Sequence, residues 1–361
     1  MNRREALQLI AASTAVSILP AAFSILPGAG AVARDNSAAT GLGLVTYCCQ
    51  MRRQMLAKAT PPIDLFAPLT FLDHCKSLGA GGMQIQLGVM NADDSLVLRK
   101  QAATNGEYIE AIVSVPKDKA DVERFEAEIQ TAAAVGALAV RTTIIPGRRY
   151  EYFDSLEMFR EFEALGQKSL ELAAPVVERH RVPLAVENHK DHRSDQRVAL
   201  FQQISSEFIG ACVDTGNSIA LLEDPVETVK ALAPWAHSVH LKDQAVQMYD
   251  DGFLLADIPL GQGFIDLKQI VEILKAEKPH VRFSLELITR DPLKVPVLTD
   301  KYWATFPDLP ASELARTLRM VRDGTTDNLQ YVSRMTPEQQ LAQEDANVRA
   351  SLDYARDVLE L

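Results

Sequence analysis

Four side chains in this sequence share a position and a chemistry: each ends a short apolar run, and each is of a type that binds divalent metals. Glu187 closes "PLAVE", Asp214 closes "IGACVD", His240 closes "HSVH" and Glu286 closes "FSLE". Singly, each has an ordinary explanation. Asp214 in "VDTGN" suits the start of a turn, His240 suits a satisfied core histidine, and either Glu suits an ion pair with Arg141 or Lys242. Together, four such groups at the ends of successive buried runs are costly to bury without a metal or charged partners. Three carboxylates and one imidazole form a hard, oxygen-rich set that suits Mn²⁺, Mg²⁺ or Co²⁺, accepts Zn²⁺ and disfavours copper. One divalent ion held there would acidify the C–H next to a chelated carbonyl, and a carboxylate on each side of the substrate could then remove and return the proton.

The elements that position these groups follow from period and punctuation. Apolar runs recur at 41–48, 82–88, 108–115, 137–144, 182–189, 209–217, 237–243 and 282–289. Amphipathic segments with helical spacing lie between them, among them 121–136, 156–180, 224–235 and 266–278, with Asp at capping positions and Pro225 just inside a start. Nearly continuous apolar strands separated by single helices imply parallel strands covered on both faces. Eight such units predict an α/β fold, a closed (β/α)₈ TIM barrel over 41–325. An open doubly wound sheet is the second choice, and the first strand has no G-x-G-x-x-G turn to support it. The segment "SELARTLRMVRDG" is expected to be the eighth barrel helix, and 326–361 an added C-terminal helical segment, packed on the barrel or on a second subunit.

In such a barrel the chemistry sits where the strands end. Residues two apart share a strand face, which places His189 beside Glu187 and Lys242 beside His240. Gln84 and Gln86 on strand two, and Arg141 and Thr143 on strand four, are polar where a plain core would be aliphatic. The expected substrate contacts are His189, Lys242, Gln86, Arg141 and Asn217. His192 and Arg193 are expected at the pocket rim or in water. Residues 244–258 exceed a minimal connection and are expected to form a loop beside the site, a candidate lid.

Composition narrows the partners. A hydrophobic content of 47% with 24% charge supports a large core and excludes a disordered chain. A net charge of -11 without any basic run argues against a nucleic-acid backbone or an anionic membrane surface, and favours a small sugar-like substrate. Residues 1–33 read as an export signal: Arg3 and Arg4, an apolar stretch over 7–26, and Ala31-Val32-Ala33 as a cleavage site. The paired arginines point to the twin-arginine route and a periplasmic location. No later segment is apolar for long enough to span a membrane. Cys48, Cys49, Cys75 and Cys212 match no zinc spacing and need no disulfide framework, and the adjacent Cys48 and Cys49 are expected to be packed thiols on opposite strand faces.

Five pieces, "VEN" (186–188), "VDTGN" (213–217), "HLKD" (240–243), "PLGQGFID" (259–266) and "SLEL" (284–287), resemble the xylose isomerase-like TIM barrel superfamily, whose members include sugar phosphate isomerases and epimerases. The resemblance covers roughly 41–290. It implies that Glu187, Asp214, His240 and Glu286 are metal ligands, that Glu187 and Glu286 are also the acid-base pair, and that a sugar is isomerised or epimerised through an enediolate. Gly261 and Gly263 read as a tight turn, with Asp266 capping the next helix. The ketose 3-epimerase branch places a Glu six residues after the first metal Glu, a His three after the metal Asp and an Arg six after the metal His. Arg193, Asn217 and Val246 stand there in this chain, so C3 epimerisation of a free ketose is not implied. A keto-glycoside lyase or hydrolase using the same enolate is the alternative. An abasic-site nuclease is disfavoured by Asn217 and the acidic charge, and a non-catalytic sugar-binding protein by the intact ligand set.

Overall fold

Short β-branched and apolar runs build the strands of the computed structural model, which describes residues 39–361 apart from Pro146 and Asn328. In chain order they are β1 (Gly43–Val45), β2 (Gly82–Ile85), β3 (Tyr108–Ile112), β4 (Val140–Thr142), β5 (Leu184–Glu187), β6 (Ile209–Asp214), β7 (Ala236–Leu241), β8 (Asp243–Tyr249), β9 (Gly252–Ile258), β10 (Phe283–Leu285) and β11 (Leu293–Val295). β1 to β7 and β10 close a barrel in sequence order, with every neighbouring pair parallel. The expected (β/α)₈ architecture is therefore the observed one. Each strand is shorter than its apolar run, because backbone pairing ends before the run does. The leader read over 1–33 lies outside the described residues, and no described helix is long and apolar enough to cross a membrane.

Helix starts follow the capping chemistry that the sequence carries. Asp224 accepts from the backbone N–H groups of Val226 and Glu227 at 2.9 and 3.1 Å, with Pro225 first in the helix Pro225–Leu232. Asp266 accepts from Gln269 N–H at 3.1 Å to open Leu267–Glu277. At the base of the barrel, Tyr108 takes space that two glycines vacate. A Cβ on Gly43 would lie 2.3 Å from the Tyr108 hydroxyl, and one on Gly82 would lie 2.5 Å from its ring. The hydroxyl donates to the Phe283 carbonyl at 2.7 Å and accepts from Gly43 N–H at 3.1 Å, which ties β1, β3 and β10 together.

Three expectations differ from the structure. The 244–258 stretch is not a lid loop. It is the hairpin β8–β9, joined by Asp250 and Asp251 and extended to three strands by β11. Val246, Phe253, Leu255 and Val295 form a second core there with Tyr302, Phe306 and Val321. The alternation of these apolar residues around a two-residue turn was the sequence signal.

The helix Ala311–Asp323 packs through Leu314, Leu318 and Val321 on that second core and is not the eighth barrel helix. That place belongs to Pro337–Asp357, whose Val348, Leu352 and Ala355 lie in the barrel core. Its Glu344 carboxylate accepts from Met51 and Arg52 N–H at 2.8 and 2.9 Å, at the start of Gln50–Ala57, where free N–H groups favour an anion. The C-terminal segment is thus part of the barrel wall. Finally, Cys48 and Cys49 sit in a 3₁₀ turn, Thr46–Cys49, and not on a strand; both are packed thiols as expected, and Cys75 and Cys212 are likewise buried and unpaired.

Candidate metal and active site

Strand register brings the four strand-end groups together. Asp214 pairs with His240 across β6 and β7. Glu187 pairs with Cys212, two residues before Asp214 on the same face. Ser284 pairs with His240, and Glu286 follows two residues on. One ligand atom from each of Glu187, Asp214, His240 and Glu286 lies within 4.8 Å of every other, and all four residues are buried.

Local bonds hold them there. Asn188 bridges β5 to β6, donating to the Asp214 carbonyl at 2.9 Å and accepting from Asp214 N–H at 2.8 Å. The N–H groups of Gly216 and Asn217 both donate to Asp214 Oδ1, at 2.9 and 2.8 Å. Thr215 Oγ1 accepts from Lys242 N–H at 2.9 Å, which locks the end of β7 beside that of β6.

Arg197, fully buried, donates to both oxygens of the buried Asp191 at 2.8 and 2.7 Å and to the Glu187 carbonyl at 3.2 Å. Burial pushes the Asp191 carboxyl up, but the Arg197 charge overrides it and holds the group down at about 2. A depressed carboxyl contributes stability above its ordinary value of 3.8, and this is lost as pH falls towards 2. Arg197→Met is expected to lower stability by about 3–5 kcal/mol by stranding Asp191, and to abolish this acid-limb dependence in thermal melts.

Beneath the four groups runs a polar chain that the sequence reading did not assemble. Glu110 Oε2 accepts from Gln84 Nε2 at 2.9 Å and from Ser238 Oγ at 2.7 Å. Because the Gln84 amide N–H faces Glu110, its oxygen faces His240 Nε2 at 2.8 Å and accepts a hydrogen bond from it. His240 Nδ1 is thereby turned towards Glu286 Oε2, 2.9 Å away, and towards the ligand cluster. Burial pushes the Glu110 carboxyl up to about 7. Its folded value exceeds its unfolded one, so its contribution is complete below pH 4.5 and is lost as pH rises through 7. Glu110→Gln is expected to remove this slope, worth ~3 kcal/mol between those limits, as read from chemical denaturation across the range.

Three buried cations surround the carboxylates. Arg141 donates to Glu187 Oε2, through Nε at 2.6 Å and also through Nη2. Lys242 Nζ stands 3.0 Å from Asp214 Oδ2 and 3.3 Å from Glu286 Oε2. Lys190 Nζ donates to Asn217 Oδ1, and Asn217 Nδ2 donates to Glu187 Oε1 at 3.1 Å. Burial raises the Glu187 carboxyl, yet Arg141 beside it holds it below the usual range. Burial raises Asp214 to about 6, and burial together with the neighbouring Lys242 lowers Lys190 to about 7.

Of the expected substrate contacts, Arg141, Asn217 and Lys242 thus join the cluster. His189 lines a cavity of about 210 Å³ with Lys190, Lys242, Glu286, Arg148 and Arg290, and its Nδ1 has no hydrogen-bond partner. Gln86 lies just past β2, exposed, and makes no hydrogen bond to the cluster. His192 is neither at the rim nor in water: it is buried, with Nε2 2.8 Å from Glu163 Oε1. Arg193 turns away from the site and donates to the Leu221 carbonyl at 2.6 Å. Lys190 was missed because face parity holds only within a strand. β5 ends at Glu187, and a φ of 61° at Lys190 redirects its side chain inward.

The donor set fits a divalent ion. Oxygen ligands of Mg²⁺-sized ions lie at about 2.0–2.1 Å, so opposed ligands lie about 4 Å apart, and a cluster contained within 4.8 Å needs little contraction. Asp214 Oδ2 is buried, and its near neighbour is the Lys242 ammonium at 3.0 Å, so it is an anionic oxygen held by charge and not tied into the backbone bonds that fix Oδ1.

The family profile of the xylose isomerase-like TIM barrel matches residues 72–321. This chain belongs to that family. A 119-residue stretch of this chain is 25% identical to a 3-oxo-isoapionate decarboxylase of Pectobacterium atrosepticum, covering 32% of this chain and 43% of that protein. The chain thus matches less than half the length of this relative. The fold superposes on an L-ribulose 3-epimerase with a TM-score of 0.53 at 15% identity, covering 89% of this chain and 97% of that one. It also superposes on the D-psicose 3-epimerase of Clostridium cellulolyticum with a TM-score of 0.53 at 14% identity, covering 81% and 93%. At these identities the likeness establishes the shared barrel.

Proposed function

We propose that this member of the xylose isomerase-like family is an enzyme that moves a proton at the carbon next to the carbonyl of a keto sugar or sugar derivative. The observation that carries this reading is the convergence of Glu187, Asp214, His240 and Glu286, from four consecutive barrel strands, into one buried cluster opening on a cavity. These four residues would hold one divalent ion, Mn²⁺, Mg²⁺, Co²⁺ or Zn²⁺, which when bound polarises a carbonyl and acidifies its neighbouring C–H.

The side chains divide the remaining work. Glu286 is the one ligand among the residues lining the cavity, so it is placed to take the proton. Glu187 has both oxygens engaged, by Arg141 and Asn217, and serves as a fixed anion or as the partner that returns the proton from the other side. Lys242 and His189 face the same space and can donate hydrogen bonds to the oxygen that becomes negative.

The epimerase names of the superposed structures support isomerase or epimerase chemistry. The decarboxylase name of the Pectobacterium relative points to an enolate of the same kind, formed by loss of CO₂. A cavity of about 210 Å³ falls below the roughly 300–1,000 Å³ of drug-sized pockets. That size favours a single sugar unit over the keto-glycoside alternative. The Arg3–Arg4 leader motif supports action in the periplasm after twin-arginine export. The test is solvent exchange: the Mn²⁺-supplemented protein, incubated in D₂O with a panel of keto sugars, should introduce deuterium at a carbon next to the ketone of at least one. No exchange, isomer or cleavage product across the panel would overturn the reading.

A further inference from the structure

With His240 neutral, as a metal-ligating imidazole is, the remaining charges of the site balance before any divalent ion enters. Glu187, Asp214 and Glu286 are opposed by Arg141, Lys190 and Lys242, all six buried. The other charged groups nearby are already matched: Arg290 with Asp257 at 3.1 Å, and Arg148 with Glu151 at 2.5 Å. A divalent ion on the four ligands therefore leaves two positive charges in excess in a buried site, and buried charge without a counter-charge is costly.

Lys190 is where that excess has the least protein compensation. Arg141 has Glu187, and Lys242 has Asp214 and Glu286. The Lys190 ammonium makes no ion pair with a described carboxylate, and its hydrogen-bond partner is the neutral amide oxygen of Asn217. Its side chain nevertheless lines the cavity that Glu286 and His189 line. The backbone accepts a left-handed conformation, φ 61°, at a residue with a side chain. Strained positions of this kind persist where the surroundings over-determine them, and they gather at ligand sites.

We propose that the substrate is a keto sugar bearing an oxyanion, a carboxylate or a phosphate ester, and that Lys190 is the residue that binds it. This rests on the metal-assisted reading above. The oxyanion supplies the partner that Asn217 cannot, and brings the loaded site back towards neutrality. Lys190 is thus a specificity residue that separates sugar acids or sugar phosphates from neutral ketoses.

Three small achiral hydroxyketones isolate the charge from sugar stereochemistry. Hydroxypyruvate and dihydroxyacetone differ in a carboxylate against a hydroxymethyl group, and dihydroxyacetone phosphate adds a phosphate ester. Each is titrated calorimetrically into the full chain loaded with Mn²⁺, and into Lys190→Met with its fold checked by thermal melting. We expect at least one anion to bind about tenfold or more tightly than dihydroxyacetone, with the preference lost in Lys190→Met. Preference for hydroxypyruvate assigns a sugar acid, and preference for dihydroxyacetone phosphate assigns a sugar phosphate.

Binding of Mn²⁺ at one per chain with no preference for either anion overturns this inference and leaves the metal site standing. The same holds if Lys190→Met folds and keeps the preference. If Mn²⁺ itself does not bind, both readings fall, because the excess charge that calls for an anion is then absent.

Discussion

Native protein is expected to purify with, or to take up, close to one divalent metal ion per chain, and Asp214→Asn to hold almost none. The substitution removes one of three anionic ligands while leaving the local architecture in place. An Asn Oδ1 can still accept from the N–H groups of Gly216 and Asn217, and the Asn188 bonds run to the backbone of residue 214. Lys242 loses Asp214 but keeps Glu286 at 3.3 Å, so no buried cation is stranded. Elemental analysis by mass spectrometry, with thermal melts alongside, reads both effects. No metal in either protein, after incubation with each of Mn²⁺, Mg²⁺, Co²⁺ and Zn²⁺, would make the carboxylates structural partners of Arg141 and Lys242. The enzymatic reading would then be dropped.

Glu286→Gln is expected to slow exchange of the substrate C–H by about 10²–10⁴-fold, the usual contribution of a positioned acid or base. The fold should be little changed, since Lys242 retains Asp214 and an amide oxygen at position 286 can still face His240 Nδ1. Glu187→Gln makes the instructive contrast. It leaves the buried Arg141 guanidinium without its carboxylate, and removing one partner of a buried pair costs about 3–5 kcal/mol. Its melting temperature should therefore fall along with its activity, whereas Glu286→Gln should lose exchange at an unchanged melting temperature, with metal content measured alongside to separate loss of the base from loss of a ligand. Exchange rates by mass spectrometry set against melting temperatures separate the two. Equal exchange in Glu286→Gln and native protein would remove Glu286 as the base.

The legible part of this site lay in patterns that are local in sequence. Alternating apolar runs and helical segments specify strands and helices, and eight repeats of the unit fill a barrel. Strand ends are marked by a change of residue type, which is why Glu187, Asp214, His240 and Glu286 could be picked out before any contact was known. The resemblance of "VDTGN", "HLKD" and "PLGQGFID" to a known family converted that pattern into a ligand set. The Asp243 carboxylate shows what such a motif encodes, for it accepts from Gly261 and Gly263 N–H at 2.9 Å each and shapes that loop.

The rest depended on tertiary structure because it depends on pairs distant in the chain. An amphipathic stripe shows that a helix has a partner and not which one, so Ala311–Asp323 and Pro337–Asp357 could exchange roles until Leu314 and Leu352 were seen in different cores. The Glu110–Ser238 bond joins residues 128 apart, and the Gln84–His240 bond joins residues 156 apart. Neither polar residue on β2 or β3 reveals alone that it orients an imidazole on β7. Arg141 reads equally well as a substrate contact or an internal counter-ion until Glu187 is found against it. Lys190 enters the cavity through a backbone dihedral angle that no periodicity specifies. The barrel and the chemical types at its mouth follow from the order of residues along the chain. Their mutual charge balance, and the cation without an anionic partner, arose only when the barrel closed and set them side by side.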